Sequence, residues 1–168
     1  HGAGIGGGDS GIGENITITD GTVTATGGIY GAGIGGGKES SGSNVTVSGA
    51  AQVTATAGKS NGYYGAGATI GNGGNMTDDG QPVDGEEIQA DIRGVTTGYI
   101  HHIIYNPLLN WNDEPDTILK EWWEFALPKP IPDGESLDLH VETLKGAPLL
   151  FNTRQQGSTC LLYTSPSP

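Results

Sequence analysis

Two short alternating runs recur along the first half of the chain. In Asn15–Thr19 (NITIT), Ile16 and Ile18 alternate with Thr17 and Thr19, and Asn44–Ser48 (NVTVS) repeats the pattern with Val45 and Val47. Thr22–Thr26 (TVTAT) and Gln52–Thr56 (QVTAT) match in the same way, Val23 and Ala25 answering to Val53 and Ala55. A two-residue period places one set of side chains on each face of a strand. No 3.6-residue period occurs in Gly2–Gly74, so helix is excluded there.

Glycine blocks separate these runs. Gly2–Gly8 and Gly31–Gly37 are both GAGIGGG, 29 residues apart, and Gly65–Gly74 (GAGATIGNGG) is a degraded third copy. Each unit thus holds two strand-like runs and one small-residue block, with Gly21, Gly27 and Gly28 at corners. This length suits one turn of a parallel β-helix with three short faces. Stacked turns put Ile5 over Ile34, Ile16 over Val45 and Val23 over Val53. The predicted fold is all-β: a parallel β-solenoid (β-helix) fragment over 1–75, followed by a partial β-sandwich-like module.

Composition changes near Asn75. All 9 prolines and all 3 tryptophans lie beyond it, whereas most of the 31 glycines lie before it. Residues 76–87 read as an acidic linker and 88–159 as a truncated β-rich module. Its expected strands are Ile88–Arg93, Tyr99–Asn106, Ile118–Leu127 and Leu137–Leu144. In Ile118–Leu127, Ile118, Trp122 and Phe125 also fit a helix face, but the paired tryptophans favour strand.

The glycine arrays resemble the GGTVTATGG/GAGIGGG tandem repeats of large surface or secreted proteins of gut-type, mainly Gram-positive, bacteria. That resemblance covers Gly2 to about Gly74. It implies an extracellular or cell-surface address and a structural or adhesive role. Cys160–Pro168 (CLLYTSPSP) resembles a translated sequencing adapter (TGT CTC TTA TAC ACA TCT CCG AGC CCA), so residues 160–168 are expected to be an artefact and the chain a fragment. Cys160 is the only cysteine, which leaves the remainder without a disulfide framework or a thiol site.

A net charge of −12 disfavours nucleic acid and anionic lipid, and no apolar run is long enough for a transmembrane helix. GAGIGGG contains G-x-G-x-x-G, at Gly2, Gly4 and Gly7 and at Gly31, Gly33 and Gly36. Dinucleotide binding needs that turn between a strand and a helix N-terminus, and no helix follows. Asp9 hints at a calcium β-roll, but Lys38 occupies the equivalent place in the second unit. Thr22, Thr24, Thr26, Thr54 and Thr56, with Thr17, Thr19 and Thr46, form outward T-x-T rows, as expected of exposed strands.

Among candidate sites, His101, His102 and His140 lie in one half with Asp113, Glu114 and Asp116. Neighbouring strand histidines point to opposite faces, so surface histidines are expected rather than a zinc centre. Trp111, Trp122, Trp123, Tyr99 and Tyr105 are the candidate glycan platform, against the alternative that they fill a core. No G-x-S-x-G and no singled-out carboxylate pair occurs. Asn15, Asn44 and Asn75 open N-x-T triplets, read as unmodified. The expectation is a non-enzymatic structural or adhesive segment with no cofactor and no metal. Its partners would be neighbouring solenoid repeats and host or cell-wall glycans, without nucleic acid or membrane insertion. The alternatives are a carbohydrate-binding module and a non-catalytic fragment of a β-helix polysaccharide-acting enzyme.

Overall fold

A computed structural model describes residues 1–110, 112, 115–126, 150–156 and 159–165. Among these the chain is all-β, in fourteen strands. The expected strand Leu137–Leu144 lies outside the described residues.

Three parallel sheets carry the repeats. The first joins β1 (Ile5–Gly6), β4 (Ile34–Gly35) and β7 (Ile70–Gly71). The second joins β2 (Gly13–Ile18), β5 (Gly42–Gly49) and β10 (Asp91–Val95). The third joins β3 (Thr22–Thr26), β6 (Gln52–Thr56) and β11 (Tyr99–Tyr105), and continues antiparallel through β12 (Ile118–Ala126), β14 (Thr159–Ser165) and β13 (Leu150–Gln156). Between β7 and β10 in the chain, β8 (Asn75–Met76) and β9 (Pro82–Val83) make a small antiparallel hairpin. Ile5 pairs with Ile34, Ile16 with Val45 and Val23 with Val53. Equivalent residues of successive units therefore meet as the repeat alignment requires.

The backbone repeats with the sequence. Ser10 and Glu39 adopt left-handed conformations at φ 58° and 56°, and Asn15 and Asn44 do so at 57° and 51°. Asparagine tolerates this region because its short side chain bonds locally, and here the Asn44 amide donates to Asn15 Oδ1. Gly35 shows why glycine is needed at its position. At φ 132° a Cβ would stand 2.2 Å from the Gly71 carbonyl oxygen. The tiers therefore touch through backbone at that column.

The core lies between the sheets and consists of Ile34, Ile70, Val45, Val47, Val53, Ile92 and Ile100, with alanines between them. Burial depends on the tier. Ile34 and Val53 are fully buried, whereas their first-tier equivalents Ile5 and Val23 are half-buried. The outer edge of β1, β2 and β3 has no covering strand among the described residues.

The opposite edge is arranged differently. Gly71 forms an antiparallel bridge with Glu87, and Ile88 donates to the Ile70 carbonyl at 2.9 Å. Residues 84–87, expected to be linker, thus lie along β7 together with Ile88.

The sheets also cross the compositional break. Over Asp91–Tyr105, the expected sandwich-like module gives way to a third tier, because β10 pairs parallel with β5 and β11 with β6. The alternation of Tyr99–Tyr105 suits a parallel tier as well as a sandwich strand, and β6 offers a free edge. The strand expected at Ile88–Arg93 shifts to Asp91–Val95, with Ile88 used instead along β7. Residues 159–165, which include most of the adapter-like run, pair with both β12 and β13.

Candidate functional site

The third sheet gathers most of the chemically capable side chains, and strand alternation sorts them onto two faces. On β11, Ile100 and His102 point inward and are 0% and 2% exposed. Tyr99, His101 and Ile103 take the outward phase. Register with β12 carries this across: His102 pairs with Trp122 and Ile100 with Glu124, while His101 pairs with Trp123 and Tyr99 with Phe125.

The inward face holds a buried polar cluster. His102 Nδ1 lies 2.6 Å from Thr69 Oγ1, and Thr69 is fully buried. The Thr69 hydroxyl donates to Glu87 Oε2 at 2.7 Å, and the same carboxylate accepts the backbone N–H groups of Thr69 and Ile70. Glu87 reaches in from the surface and occupies the place a further parallel strand would take beside β7. On the other side of the ring, His102 Nε2 faces Glu124 Oε2 at 3.7 Å. Glu124 is 4% exposed, and its Oε1 accepts the Gln89 amide at 3.0 Å. Trp122 stacks on the His102 ring with centroids 4.4 Å apart and planes 7° from parallel.

His102 is therefore not the surface histidine expected from sequence. Its position in YIHHIIY, in phase with Ile100, is the signal that could have placed it in the core. Nothing in the sequence links it to Thr69, Glu87 or Glu124, which come from three separate segments. His101 does face outward. It stacks on Trp123 at 4.1 Å and bonds Glu121 at 2.9 Å.

The five proposed platform residues do not share one surface. Trp122 is buried and Trp123 lies on the opposite face of β12. Tyr99 and Trp123 share the outward face, one strand apart. Tyr105 lies beyond a register shift at the far end of β11, with Lys59 Nζ 6.0 Å from its ring centroid. Trp111, Asp113, Glu114 and His140 lie outside the described residues. Asp116 pairs with Lys59.

The glycine motifs pack against backbone. A Cβ on Gly33 would lie 2.6 Å from the Thr69 carbonyl oxygen, and one on Gly31 would lie 2.1 Å from that of Gly2. No helix follows either motif, and among the described residues no group of three or more His, Cys, Asp or Glu is placed to hold a metal ion.

One further column escaped the sequence reading. The residues immediately before each GAG, namely His1, Tyr30 and Tyr64, pack tier on tier as tilted rings, with centroids 4.9 and 5.2 Å apart. Lys38 Nζ lies 3.9 Å from the Tyr64 ring centroid, and burial pushes the Tyr30 phenol above its ordinary pKa. The shared position before the glycine block was the available signal.

The chain matches no known family model, and no curated protein or solved structure is similar to it.

Proposed function

We propose that this chain is the closing segment of a parallel β-solenoid, serving as a non-enzymatic scaffold on a bacterial surface or secreted protein. The observation that carries the reading is the difference between the two edges. The first tier leaves Ile5, Ile16 and Val23 half-buried at an open edge that matches the interior tiers. At the other end, Glu87 and residues 84–88 close β7 and β12 turns the third sheet antiparallel, while β10 is the edge of the second sheet. A scaffold of this kind grows by adding repeats on the open side and stops at the closed side. Its work is positional, with other parts of the protein or an adhesive face held away from the envelope.

The test is insertion. The segment Gly13–Ser41 is one register unit, since Gly13 pairs with Gly42. Three extra copies placed after Ser41 should fold and lengthen the particle by about 14 Å in small-angle scattering, at ~4.8 Å per tier. A half-unit insertion should unfold the chain. If whole-unit and half-unit insertions damage folding equally, the reading fails.

The glycan-binding alternative rests on Tyr99 and Trp123, which share the outward face. A glycan array with wild type and Trp123→Ala separates the two. Specific retention that is lost in a variant with unchanged melting would favour sugar binding over a passive scaffold.

A further inference from the structure

Two glycine columns run through the tiers, and the interior tiers show why they are glycine. A Cβ on Gly37 would stand 1.8 Å from the Gly8 carbonyl oxygen, and one on Gly73 would stand 1.9 Å from that of Gly37. A Cβ on Gly31 would lie 2.1 Å from the Gly2 carbonyl oxygen, and one on Gly67 would lie 2.0 Å from that of Gly31. In each case the obstacle is backbone of the preceding tier, which leaves no room for a side chain. The first tier keeps the glycines without the obstacle. Nothing lies within 4 Å of a Cβ built on Gly8, and its φ falls outside the left-handed region. For Gly2 the nearest atoms are 3.3 Å away and belong to Gly7 and Gly8 of its own block. Hydrogen bonding repeats the contrast. Gly73 donates to the Ser40 carbonyl at 2.9 Å and Gly37 to the Gly11 carbonyl at 3.0 Å, each reaching back one tier. The corresponding Gly8 N–H has no earlier tier to donate to among the described residues.

We infer that the open edge of β1, β2 and β3 is a docking surface for one further tier of glycine-bearing chain running parallel to them, and that Gly8 and Gly2 are the residues that admit it. This rests on the scaffold reading above and adds to it the partner's backbone and the residues that select it. The fit follows from shifting the existing interface back by one tier. Carbonyls equivalent to those of Gly2 and Gly8 then come to lie against Gly2 and Gly8 themselves, and the Gly8 N–H gains its acceptor. The partner needs glycine as well. Gly6 and Gly35 stand at φ 127° and 132°, each with its Cβ position 2.2 Å from a carbonyl oxygen of the following tier. The residue that lands beside Gly6 must therefore also lack a side chain. Ile5, Ile16 and Val23, half-buried at the edge, give the newcomer an apolar face to cover. A second copy meeting edge to edge does not fit. Its Gly2 and Gly8 carbonyls point toward its own Gly31 and Gly37, away from the contact.

The experiment lengthens the chain by one copy of Gly2–Tyr30, inserted between His1 and Gly2, so that the original Gly8 becomes an interior position. Gly8→Ala is made in the original and in the lengthened chain, and Gly37→Ala in the original. In the original chain, Gly8→Ala meets open space and should leave the unfolding constant within about fivefold of wild type. Gly37→Ala drives a methyl into backbone and should raise that constant by at least about a hundredfold. Hydrogen exchange read by intact mass then reports the added tier. The lengthened chain should hold more slowly exchanging amides than the original, because the new strands pair along the old edge. With Gly8→Ala the gain should vanish while the rest of the protein stays protected.

The outcomes separate this inference from the reading it rests on. A gain in slow amides that survives Gly8→Ala overturns the inference and leaves the scaffold standing. No gain in either lengthened protein overturns both. Gly8→Ala that unfolds the original chain as readily as Gly37→Ala does would show that Gly8 serves its own tier, and that too overturns the inference. Sedimentation of the original chain covers the remaining occupant. It should stay monomeric, and a dimer abolished by Gly8→Ala would give the edge to a second copy instead.

Discussion

Gly2–Gly74 and Asp91–Ala126 build the same sheets from opposite materials. In the first region the tiers meet through backbone. Gly33 and Gly35 have no room for a methyl group, and the interior is filled by valine, isoleucine and alanine. In the second region the same inward positions carry Ile100 and His102, and β12 adds Trp122 and Glu124. The strands nevertheless continue the register, β11 on β6 and β10 on β5. Tier geometry is thus set by strand pairing and alternation, and side-chain size follows the space each tier offers. The glycine-rich region has little tolerance for added atoms, and the aromatic region has little tolerance for removed ones.

The largest effect that could break this comparison lies in the glycine column. Gly35→Val would place its Cβ 2.2 Å from a backbone carbonyl oxygen at φ 132°. We expect loss of more than about 4 kcal/mol, enough to unfold the chain by circular dichroism. Gly21→Ala is the control. Its φ is 85° but nothing lies within 4 Å of the new methyl, so only the backbone term of about 1–2 kcal/mol should appear. Equal losses at both sites would show that close tier contact does not matter.

In the aromatic region, Trp122→Ala should cost about 3–5 kcal/mol in denaturant unfolding. Trp123→Ala, on the half-buried outward face, should cost about 1–2 kcal/mol. A reversed order would mean that the faces of β12 are exchanged. Thr24→Val changes an exposed position of the threonine rows and should stay within about 0.5 kcal/mol of wild type.

The smallest effect is electrostatic. Hydrogen bonding from Arg93 holds the Asp91 carboxyl at about 2, against an ordinary 3.8. Arg93→Ala should return its titration, followed by carbon shifts, toward 3.8. The pair's contribution to folding is present above 3.8 and lost as pH falls through about 2. With Arg93 exposed on the edge strand, it should barely move the melting curve.

The repeats were legible because one period encodes both strand phase and stacking register. Once Ile16 and Val45 align, their pairing follows. The third tier was harder to read because Asp91–Val95 and Tyr99–Tyr105 carry no glycine block to mark them as further copies, and the proline and tryptophan content suggested a new unit. The polar cluster was not legible at all. Thr69 looked like part of a degraded repeat and Glu87 like linker, and nothing in Ile118–Leu127 set Glu124 apart. Only the fold brings the three around one imidazole.

The open edge of the first tier has a colloidal consequence. A bare row of strand backbone is a template for any chain with the right alternation, including another copy of this one. Two copies meeting there would also bring together Glu14 and Asp20, both exposed at that edge, and two bodies each carrying −12. Repulsion of that kind acts over about 10 Å at roughly 0.1 M salt and shortens as salt is added. It penalises another copy approaching from solution. Net charge thereby hinders other copies from reaching the edge, and ionic strength sets how strongly.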